Sequence, residues 1–314
     1  MMTVSPRVSV LMPVHNGMPF LPEAVNSILN QSYRDFEFII VNDCSVDGTT
    51  QYLDSLTDPR VVQIHLAKNQ GVTGALRAGL RAVRGEYVVR LDADDIAYPY
   101  RLARQVSFMD SDASVGLLAS NADIVDELGV SVSKGTNRIK SEIDLRWELL
   151  FKNPIIHSTV LLRRNILTTY SLNYERRYAE DYDLWVEMAK VTRIAVLPSR
   201  LIQYRINSRS WTYSKSNEQV QASLEVSKKA MQNLVKLSNE SVGRIRQSVR
   251  SGARLSGKDI DAFMNLVEVF LDKHNHMRSI TFDRRIMALI RLIVGWQMLG
   301  YGLFWRLFHR CYFW

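Results

Sequence analysis

Short apolar runs alternate with amphipathic segments through the first part of the chain. Four runs have the length and composition of buried strands: Val8–Val14, Phe36–Val41, Val61–Leu66 and Glu86–Leu91. Between them, apolar residues recur every three or four positions, as on one face of a helix, at Pro22–Asn30, Thr49–Leu56 and 71–82. Strands that alternate with helices predict an α/β fold with a mostly parallel sheet and flanking helices.

Polar loops follow three of the predicted strands. They carry His15 and Asn16 after the first strand, Asp43 and Asp47 after the second, and Asp92, Asp94 and Asp95 after the fourth. In open α/β sheets, ligands bind outside the carboxyl ends of the strands. The pattern therefore predicts a binding site at this edge of the sheet.

The acidic cluster after the fourth strand has two interpretations. Asp92, Asp94 and Asp95 offer oxygen ligands of the kind that hard divalent cations prefer, and a cation would relieve their mutual repulsion. A solvated acidic turn, or a helix cap before Ile96, fits the same residues. The chain has no glycine-rich phosphate loop, which argues against a dinucleotide-dependent oxidoreductase or a P-loop enzyme.

A second acidic pair stands at the start of a predicted helix. Leu184, Trp185 and Met188 form the apolar face of this helix, which leaves Glu180 and Asp181 at its amino end. Acidic residues there are favoured by the helix dipole, so simple capping explains them. The functional interpretation is a carboxylate base that accepts a proton from an attacking hydroxyl.

The strand and helix alternation stops near Ser214. Beyond it we expect helices at 218–237 and 259–271, a polar and basic stretch at 238–258, and a long apolar segment at 284–308. The formal net charge of +8 also lies entirely beyond Ser214, because acidic and basic residues balance before it. We therefore predict two domains, 1–214 and a basic helical extension, 215–314.

The last segment has an unusual distribution of arginines. On a helix, its five arginines share a sector of about 120°, and apolar and aromatic side chains occupy most of the rest; they are Arg284, Arg285, Arg291, Arg306 and Arg310. A helix lying on a membrane surface through 284–310 fits this pattern best. Packing within the protein or an oligomer is the next alternative, and a spanning helix is disfavoured because Arg291 interrupts the apolar run. Binding of nucleic acid is not needed to explain the charge.

Two cysteines, Cys44 and Cys311, cannot form a disulfide framework or a cysteine-based zinc site. The chain leads from Met1 directly into a strand, without the apolar core of a signal peptide. We therefore expect a cytoplasmic protein, peripheral on the cytoplasmic face of the membrane. The sequence leaves the oligomeric state open.

Seven segments, in order, resemble motifs of glycosyltransferase family 2. They are VSVLMPVHN at 8–16, IVNDCSVDGT at 40–49, NQGV at 69–72, GEYVVRLDADD at 85–95, PYRLARQ at 99–105, NPIIHSTV at 153–160 and AEDYDLW at 179–185. The opening strand of the family usually ends in Tyr-Asn, so His15 is a variant. The resemblance extends over residues 6–213 and implies the GT-A fold, a Rossmann-like α/β architecture.

The resemblance also implies an activity and a set of roles. The activity is an inverting transfer of a sugar from a nucleotide-sugar, such as a UDP-sugar, assisted by Mg²⁺ or Mn²⁺. The donor site would comprise Pro13, His15, Asn16, Asp43, Asn69, Gly71, Asp92, Ala93 and Asp94. Within it, Asp94 would hold the metal against the diphosphate, with Asp92 on the ribose side. Asp181 would be the catalytic base, with Glu180 beside it.

Two positions depart from the family pattern. Asn207 stands where the family often has histidine after Tyr204 and Arg205, so Arg205 would bear more of the phosphate charge. Arg77 stands where asparagine is common, and a solvated face explains it better than a phosphate contact. On the acceptor side, the resemblance suggests His157 and Trp185, although a single histidine in an apolar run is more often a partly buried structural residue.

The sequence thus predicts a metal-dependent glycosyltransferase that acts on a lipid-linked or polysaccharide acceptor in cell-surface glycan biosynthesis. A soluble acceptor is an alternative within the same enzyme class. A catalytically silent subunit that binds a nucleotide-sugar within a synthase complex is the alternative outside it.

Overall fold

A computed structural model describes residues 5–133, 141–206 and 216–294 of the chain. It has the predicted α/β architecture, with a sheet flanked by helices and further helices at the carboxyl end. The strands are β1 (Val8–Val14), β2 (Phe36–Asn42), β3 (Val61–His65), β4 (Tyr87–Arg90), β5 (Ile96–Ala97), β6 (Val115–Val125), β7 (Ser131–Ser133), β8 (Leu161–Arg163) and β9 (Arg193–Arg205). The helices are α1 (Leu21–Leu29), α2 (Thr49–Asp54), α3 (Gly71–Ala82), α4 (Arg101–Ser111), α5 (Glu142–Glu148), α6 (Arg164–Thr169), α7 (Glu180–Val191), α8 (Ser216–Gln232), α9 (Asn239–Ser251), α10 (Lys258–Lys273) and α11 (Ile280–Ile293).

The strands follow the order β3-β2-β1-β4-β8-β6-β9-β5, and β7 pairs with β6. The first four strands of the chain are parallel to one another, and β6 is parallel to β9. Strand β8 joins the two groups by antiparallel pairing with both β4 and β6. The parallel strands β1, β2 and β4 therefore end at one edge, and each ends in one of the polar loops.

The core of the sheet comes from strands that are buried on both faces. Every residue of β1, β2 and β4 is buried, and Val10, Phe38 and Val89 have no exposed surface. Each such side chain contributes about 1.5–3 kcal/mol on burial. Helix α3 packs closely on β1, because a Cβ at Gly79 would lie only 2.2 Å from Cδ1 of Leu11.

The chain divides into two compact units. One comprises residues up to 139 together with 155–219, and the other comprises 140–154 together with residues from 220 onward. The predicted domains differ from these units mainly in residues 140–154, which lie in the second unit. The boundary at 214 stays a prediction, because residues 207–215 lie outside the described part.

Aromatic side chains form the core of the second unit. The ring centroid of Trp147, on α5, lies 5.0 Å from that of Phe270 and 6.4 Å from that of Phe263, both on α10. Phe282 of α11 lies 6.2 Å from Phe270. An α-helical unit with its own apolar core agrees with the expected carboxyl-terminal helices.

The polar stretch at 238–258 contains a helix that the pattern did not predict. Helix α9 buries Val242 and Ile245, and the hydroxyl of Ser238 caps it by accepting the backbone N–H of Ser241 at 3.2 Å. Gly252 ends it with a φ of 76°. Few apolar residues and many arginines concealed the periodicity.

The beginning of the basic apolar segment packs into the second unit. In α11, Phe282, Ile286, Ile290 and Ile293 are buried, whereas Arg284 and Arg291 are exposed. This part of the segment follows the packing alternative. The predicted membrane contact through 284–310 otherwise falls on residues outside the described part. Among the described residues, no helix is both long enough and apolar enough to cross a bilayer.

Candidate functional site

The loops after β1 and β2 meet at the carboxyl edge of the sheet. Nδ1 of His15 lies 2.8 Å from the carbonyl oxygen of Asp43. The backbone N–H of Asn16 donates to the Ser45 hydroxyl at 3.0 Å, and Asn16 Oδ1 accepts the N–H of Val46 at 2.9 Å. His15 and Asn16 are exposed at this edge, where Nδ2 of Asn16 lies 3.3 Å from Nε2 of His15.

The turn after β3 folds around Asp43. This aspartate is almost fully buried, and its Oδ1 accepts the backbone N–H of Gln70 at 2.7 Å. Asn69 stabilises the turn by accepting the N–H of Gly71 at 3.1 Å. Gly71 has a φ of 72°, a conformation that residues with a Cβ rarely adopt. Asn69 and Gly71 therefore set the position of Asp43.

Pro13 and Asp47 support this region in other ways. Pro13 is buried in β1 and pairs in register with Val41 of β2. Asp47 accepts backbone N–H groups from Met18 at 3.1 Å and Thr49 at 2.9 Å. Burial acts against ionisation of Asp47, but these hydrogen bonds prevail and lower its pKa.

Asp92 is held by two neighbours. The Arg90 guanidinium forms a salt bridge with Oδ1, and the Ser158 hydroxyl donates to Oδ2 at 2.8 Å. The backbone N–H of Asp92 donates back to Ser158 Oγ at 2.9 Å. Burial opposes ionisation of Asp92, but the positive charge of Arg90 and the hydrogen bonds from Ser158 and Arg90 together outweigh it, and the pKa is lowered. Asp92 is therefore a fixed carboxylate.

Asp95 has the opposite environment. It is fully buried, and its Oδ1 accepts the backbone N–H of Arg205 at 2.8 Å, whereas Oδ2 has no hydrogen-bond partner. Burial, together with the charges of Asp92 and Asp94, raises its pKa well above the usual value. A short strand follows Asp95, so it does not cap a helix. Ala93 and Asp94 are partly exposed between these two fixed carboxylates.

The second acidic pair lies in the first turn of α7. Glu180 is almost fully buried and accepts the Thr73 hydroxyl at 3.3 Å. Burial, and the neighbouring charge of Asp181, raise the pKa of Glu180 to about 7. Asp181 is partly exposed, and its Oδ1 accepts the backbone N–H of Tyr182 at 2.7 Å.

The two acidic groups belong to one electrostatic environment. The pKa of Tyr204 is raised by burial and by the charges of Asp95, Asp92, Asp94 and Asp181. Tyr174 likewise has a raised pKa, to which the charges of Asp181, Glu180 and Asp92 contribute after burial. The strand-end acids and the helix-start acids therefore act on the same tyrosine side chains.

The acceptor-side residues are arranged in layers. Nε2 of His157 lies 2.9 Å from the Tyr174 hydroxyl, and its ring contacts Trp185 edge-on at 5.7 Å. Burial and the charge of Arg90 lower the pKa of His157 far below its usual value, so it is neutral. Trp185 has no exposed surface, so it packs against the buried side of the His157 ring. Contact of His157 with an acceptor stays a prediction.

Arg205 makes protein contacts with all three guanidinium nitrogens. Nε donates to the carbonyl of Asp94 at 2.9 Å, Nη1 to the carbonyl of Glu127 at 2.9 Å, and Nη2 pairs with Glu23 at 2.7 Å. The guanidinium also lies 4.8 Å from the ring centroid of Phe20. Through these contacts Arg205 stabilises the loop that carries Asp94. Binding of the donor phosphates by Arg205 stays a prediction. Asn207 lies outside the described residues.

Four contributors had not been singled out from the sequence: Arg90, Ser158, Thr73 and Tyr204. Arg90 could have been identified from the sequence, because a charged residue inside an apolar strand has to be paired. Ser158 and Thr73 could not have been identified in this way, because their partners are distant in sequence. Arg77 is exposed on α3, in agreement with the solvated-face interpretation.

The described residues contain no group of three or more His, Cys, Asp or Glu side chains arranged to hold a metal ion. Mg²⁺ and Mn²⁺ do not require such a cage, because they are commonly bound by one or two carboxylates together with substrate phosphates. The partly exposed carboxylates of Asp94 and Asp92 supply that kind of donor. The residues present therefore fit a divalent ion that binds together with a substrate.

The family model described as glycosyl transferase family 2 matches residues 9–170. The chain belongs to glycosyltransferase family 2. The matched residues include the donor-side loops and the three strand-end aspartates. This membership confirms the resemblance that the ordered motifs indicated.

Curated relatives agree with the family. A glycosyltransferase of Haemophilus influenzae, named as uncharacterised, is 31% identical over 225 residues, covering 68% of this chain and 70% of its own. EpsE of Bacillus subtilis is 31% identical, with 69% and 81% coverage. The succinoglycan biosynthesis protein ExoO of Rhizobium meliloti is 32% identical, with 65% and 62% coverage.

Solved structures confirm the GT-A fold. Staphylococcus aureus TarS (residues 1–349), in complex with UDP-GlcNAc, superposes with a TM-score of 0.61 at 18% identity, covering 91% of this chain and 87% of that one. The mannosyltransferase PcManGT of Pyrobaculum calidifontis, in complex with GDP-Man and Mn²⁺, gives 0.58 at 18% identity, with 97% and 83% coverage. At this identity the likeness concerns the fold alone.

Proposed function

We propose that the protein transfers a hexosyl group, with inversion, from a nucleoside diphosphate-sugar to a hydroxyl of a lipid-linked or polysaccharide acceptor. The observation that carries the proposal is the convergence of the strand-end acids and the α7 acids around Tyr204. Family membership supports the reaction class, and the name of the relative ExoO supports a role in surface polysaccharide synthesis. TarS and PcManGT, crystallised with UDP-GlcNAc and GDP-Man, support a nucleotide-sugar donor.

The loops around Asp43 are suited to the nucleoside. Pro13 and His15 would contact it, and the buried carboxylate of Asp43 gives the site a fixed acceptor of hydrogen bonds. The Asn69 turn holds that carboxylate in place, so the nucleoside meets a preformed surface. A preformed site lowers the entropic cost of binding.

Asp94, with Asp92 beside it, would hold Mg²⁺ or Mn²⁺ against the diphosphate. The bound ion would neutralise negative charge on the leaving nucleoside diphosphate. Arg90 and Ser158 keep Asp92 ionised and fixed, and Asp95 is kept neutral by its burial and its acidic neighbours. The loop therefore presents less negative charge than its three aspartates suggest.

Asp181 would be the general base. The acceptor oxygen attacks the anomeric carbon, the bond to the β-phosphate oxygen breaks and its electron pair stays on the diphosphate, and the hydroxyl proton passes to Asp181. A single displacement of this kind inverts the anomeric configuration. Below about pH 7, Glu180 is protonated, so it does not compete with Asp181 for the proton.

A turnover assay tests this proposal. Wild-type protein with Mn²⁺ and a panel of UDP- and GDP-sugars should release nucleoside diphosphate, and EDTA should abolish the release. Asp94→Asn should lower the rate of nucleoside diphosphate release at least 100-fold, which is about the effect of removing one charge-stabilising interaction. Asp54→Asn, an exposed substitution at the end of α2, should match the wild type. Tight binding of a donor without any turnover would instead support the silent subunit.

We further infer that the segment 284–310 attaches the protein to the cytoplasmic face of the membrane. The exposed Arg284 and Arg291 supply charge that suits anionic lipid. Flotation with phosphatidylglycerol vesicles should carry the full chain upward, whereas a chain ending at Val294 should stay at the bottom. Equal flotation of the two chains would refute attachment through the last residues.

A further inference from the structure

An arginine outside the recognised motifs lies between the donor-side turn and the proposed base. Arg177 lies three residues before the first residue of α7, and its side chain is exposed. Its Nε and Nη2 each lie 3.9 Å from the position that a Cβ on Gly71 would occupy. The guanidinium is thus beside the turn that fixes Asp43, and it is three residues from Glu180.

Arg177 differs from the other arginines of this edge in how it is used. Arg90 is committed to Asp92, and Arg205 uses all three of its nitrogens on protein groups. Cζ of Arg177 lies 5.0 Å from the ring centroid of Tyr178. Among the described residues, the Arg177 side chain takes part in no hydrogen bond or ion pair. Its five N–H donors are therefore available to a ligand.

The backbone next to Arg177 is strained. Tyr178 has a φ of 71°, which is unusual for a bulky residue and costs about 1–3 kcal/mol. The strained residue turns the chain between Arg177 and the first turn of α7. Strained backbone positions of this kind cluster at functional sites.

The carboxylates of the site would repel a bound diphosphate unless cationic groups offset the negative charge. A nucleoside diphosphate would bind beside Asp94 and Asp181, both negatively charged carboxylates, and it gains further charge when the sugar leaves. One divalent ion offsets only part of this charge. Arginine suits the remainder, because its planar fork binds two phosphate oxygens at once.

We propose that Arg177 binds the diphosphate of the donor and stabilises the charge that develops on it as the sugar leaves. This rests on the proposed function. The reaction is the one described above: the electron pair of the broken bond stays on the β-phosphate oxygen, and the proton moves to Asp181. The guanidinium would stabilise the negative charge on that oxygen, beside a divalent ion that Asp94 would hold. Arg177 neither gains nor loses a proton.

Calorimetric titrations compare a nucleoside diphosphate with the free nucleoside. The nucleotide that the wild type binds with Mn²⁺ is chosen from UDP and GDP, and uridine or guanosine is its counterpart. Arg177→Ala should weaken binding of the diphosphate about tenfold, comparable with one charge-assisted hydrogen bond, and leave nucleoside binding unchanged. Arg177→Lys should recover part of the loss. Arg81→Ala, which removes an exposed charge from the far end of α3, should have no effect.

The outcomes separate this proposal from the one on which it rests. If the wild type binds neither diphosphate, the donor site itself is refuted. If it binds one and Arg177→Ala binds it equally well, or loses nucleoside affinity to the same extent, only the role of Arg177 is refuted. In turnover assays, a rise in the KM for the acceptor alone would assign Arg177 to the acceptor and also overturn the proposal.

Discussion

The two edges of the sheet in the first unit use charge in opposite ways. At the amino edge, charges of opposite sign are paired at the surface: Arg7 bonds to Glu86 at 3.3 Å and to Asp110 at 2.5 Å, and Arg163 bonds to Glu86 at 3.4 Å. At the carboxyl edge, carboxylates adjoin carboxylates. Asp95 and Glu180 both have raised pKa values there, because burial and like charges oppose their ionisation.

This difference indicates which charges serve folding and which serve function. Exposed pairs of opposite charge contribute little to stability and carry no chemistry. Buried groups of like charge destabilise the fold, and perturbed carboxylates of this kind cluster at functional sites. Substitutions at the two edges should therefore separate activity from stability.

The largest expected effect is at the proposed base. Asp181→Asn should lower turnover about 1,000-fold, because the acceptor hydroxyl loses the group that takes its proton. Asp110→Asn, at the opposite edge, should leave turnover within about twofold although it breaks the contact with Arg7. Steady-state rates of donor consumption measure both variants. Comparable losses of turnover in Asp181→Asn and Asp110→Asn would contradict the functional difference between the two edges.

Glu180→Gln should change how stability depends on pH. The folded protein holds the Glu180 proton up to about pH 7, whereas an unperturbed glutamic acid has a pKa of about 4.5, so folding binds a proton between these limits. The free energy of unfolding should therefore fall by about 2 kcal/mol as the pH rises through this interval. Urea unfolding at pH 5 and pH 8 should show that the variant lacks this decrease. Asp54→Asn should keep it, and an unchanged slope in Glu180→Gln would contradict the account.

Ser158→Ala tests whether Asp92 must be fixed. The substitution removes the hydroxyl that bonds both the carboxylate and the backbone of Asp92. We expect about a tenfold rise in the KM for the donor with little change in kcat, as for one lost buried hydrogen bond. Ser158→Thr, which retains the hydroxyl, should recover most of the affinity. Ser111→Ala, on the exposed end of α4, is the matched control. An unaltered KM would show that Asp92 needs no support.

The smallest effect is expected at the amino edge. Arg7→Gln breaks two half-exposed salt bridges, with Glu86 and Asp110, and should cost less than about 1 kcal/mol. Urea unfolding at low and high salt should show that the difference shrinks as salt rises. A loss of turnover in this variant would mean that the amino edge takes part in function.

Much of the fold and of the site could be predicted from local patterns. The apolar run at Val8–Val14 matches β1 at both ends, and the polar loops meet because parallel strands end together. The acidic motifs predicted by family resemblance lie in one environment around Tyr204. These features depend on short-range periodicity and on the order of the motifs.

Other features depend on contacts between residues far apart in the chain. Ser158 meets Asp92 across 66 positions, and Thr73 meets Glu180 across 107, so no local pattern reveals either pair. The burial of Trp185 agrees with the apolar face predicted for this helix, whereas its contact with the distant His157 depends on tertiary packing. Helix α9 escaped prediction because it buries one narrow apolar stripe.

The central claim is that the carboxyl edge binds a nucleoside diphosphate together with a metal ion. Calorimetric titration of UDP and GDP in Mn²⁺ and in EDTA tests it most directly, with wild type, Asp94→Asn and Asp110→Asn. The account predicts that one diphosphate binds in Mn²⁺, that EDTA or Asp94→Asn weakens binding at least tenfold, and that Asp110→Asn does not. Equal affinity in all these conditions, or no binding by the wild type, would contradict it.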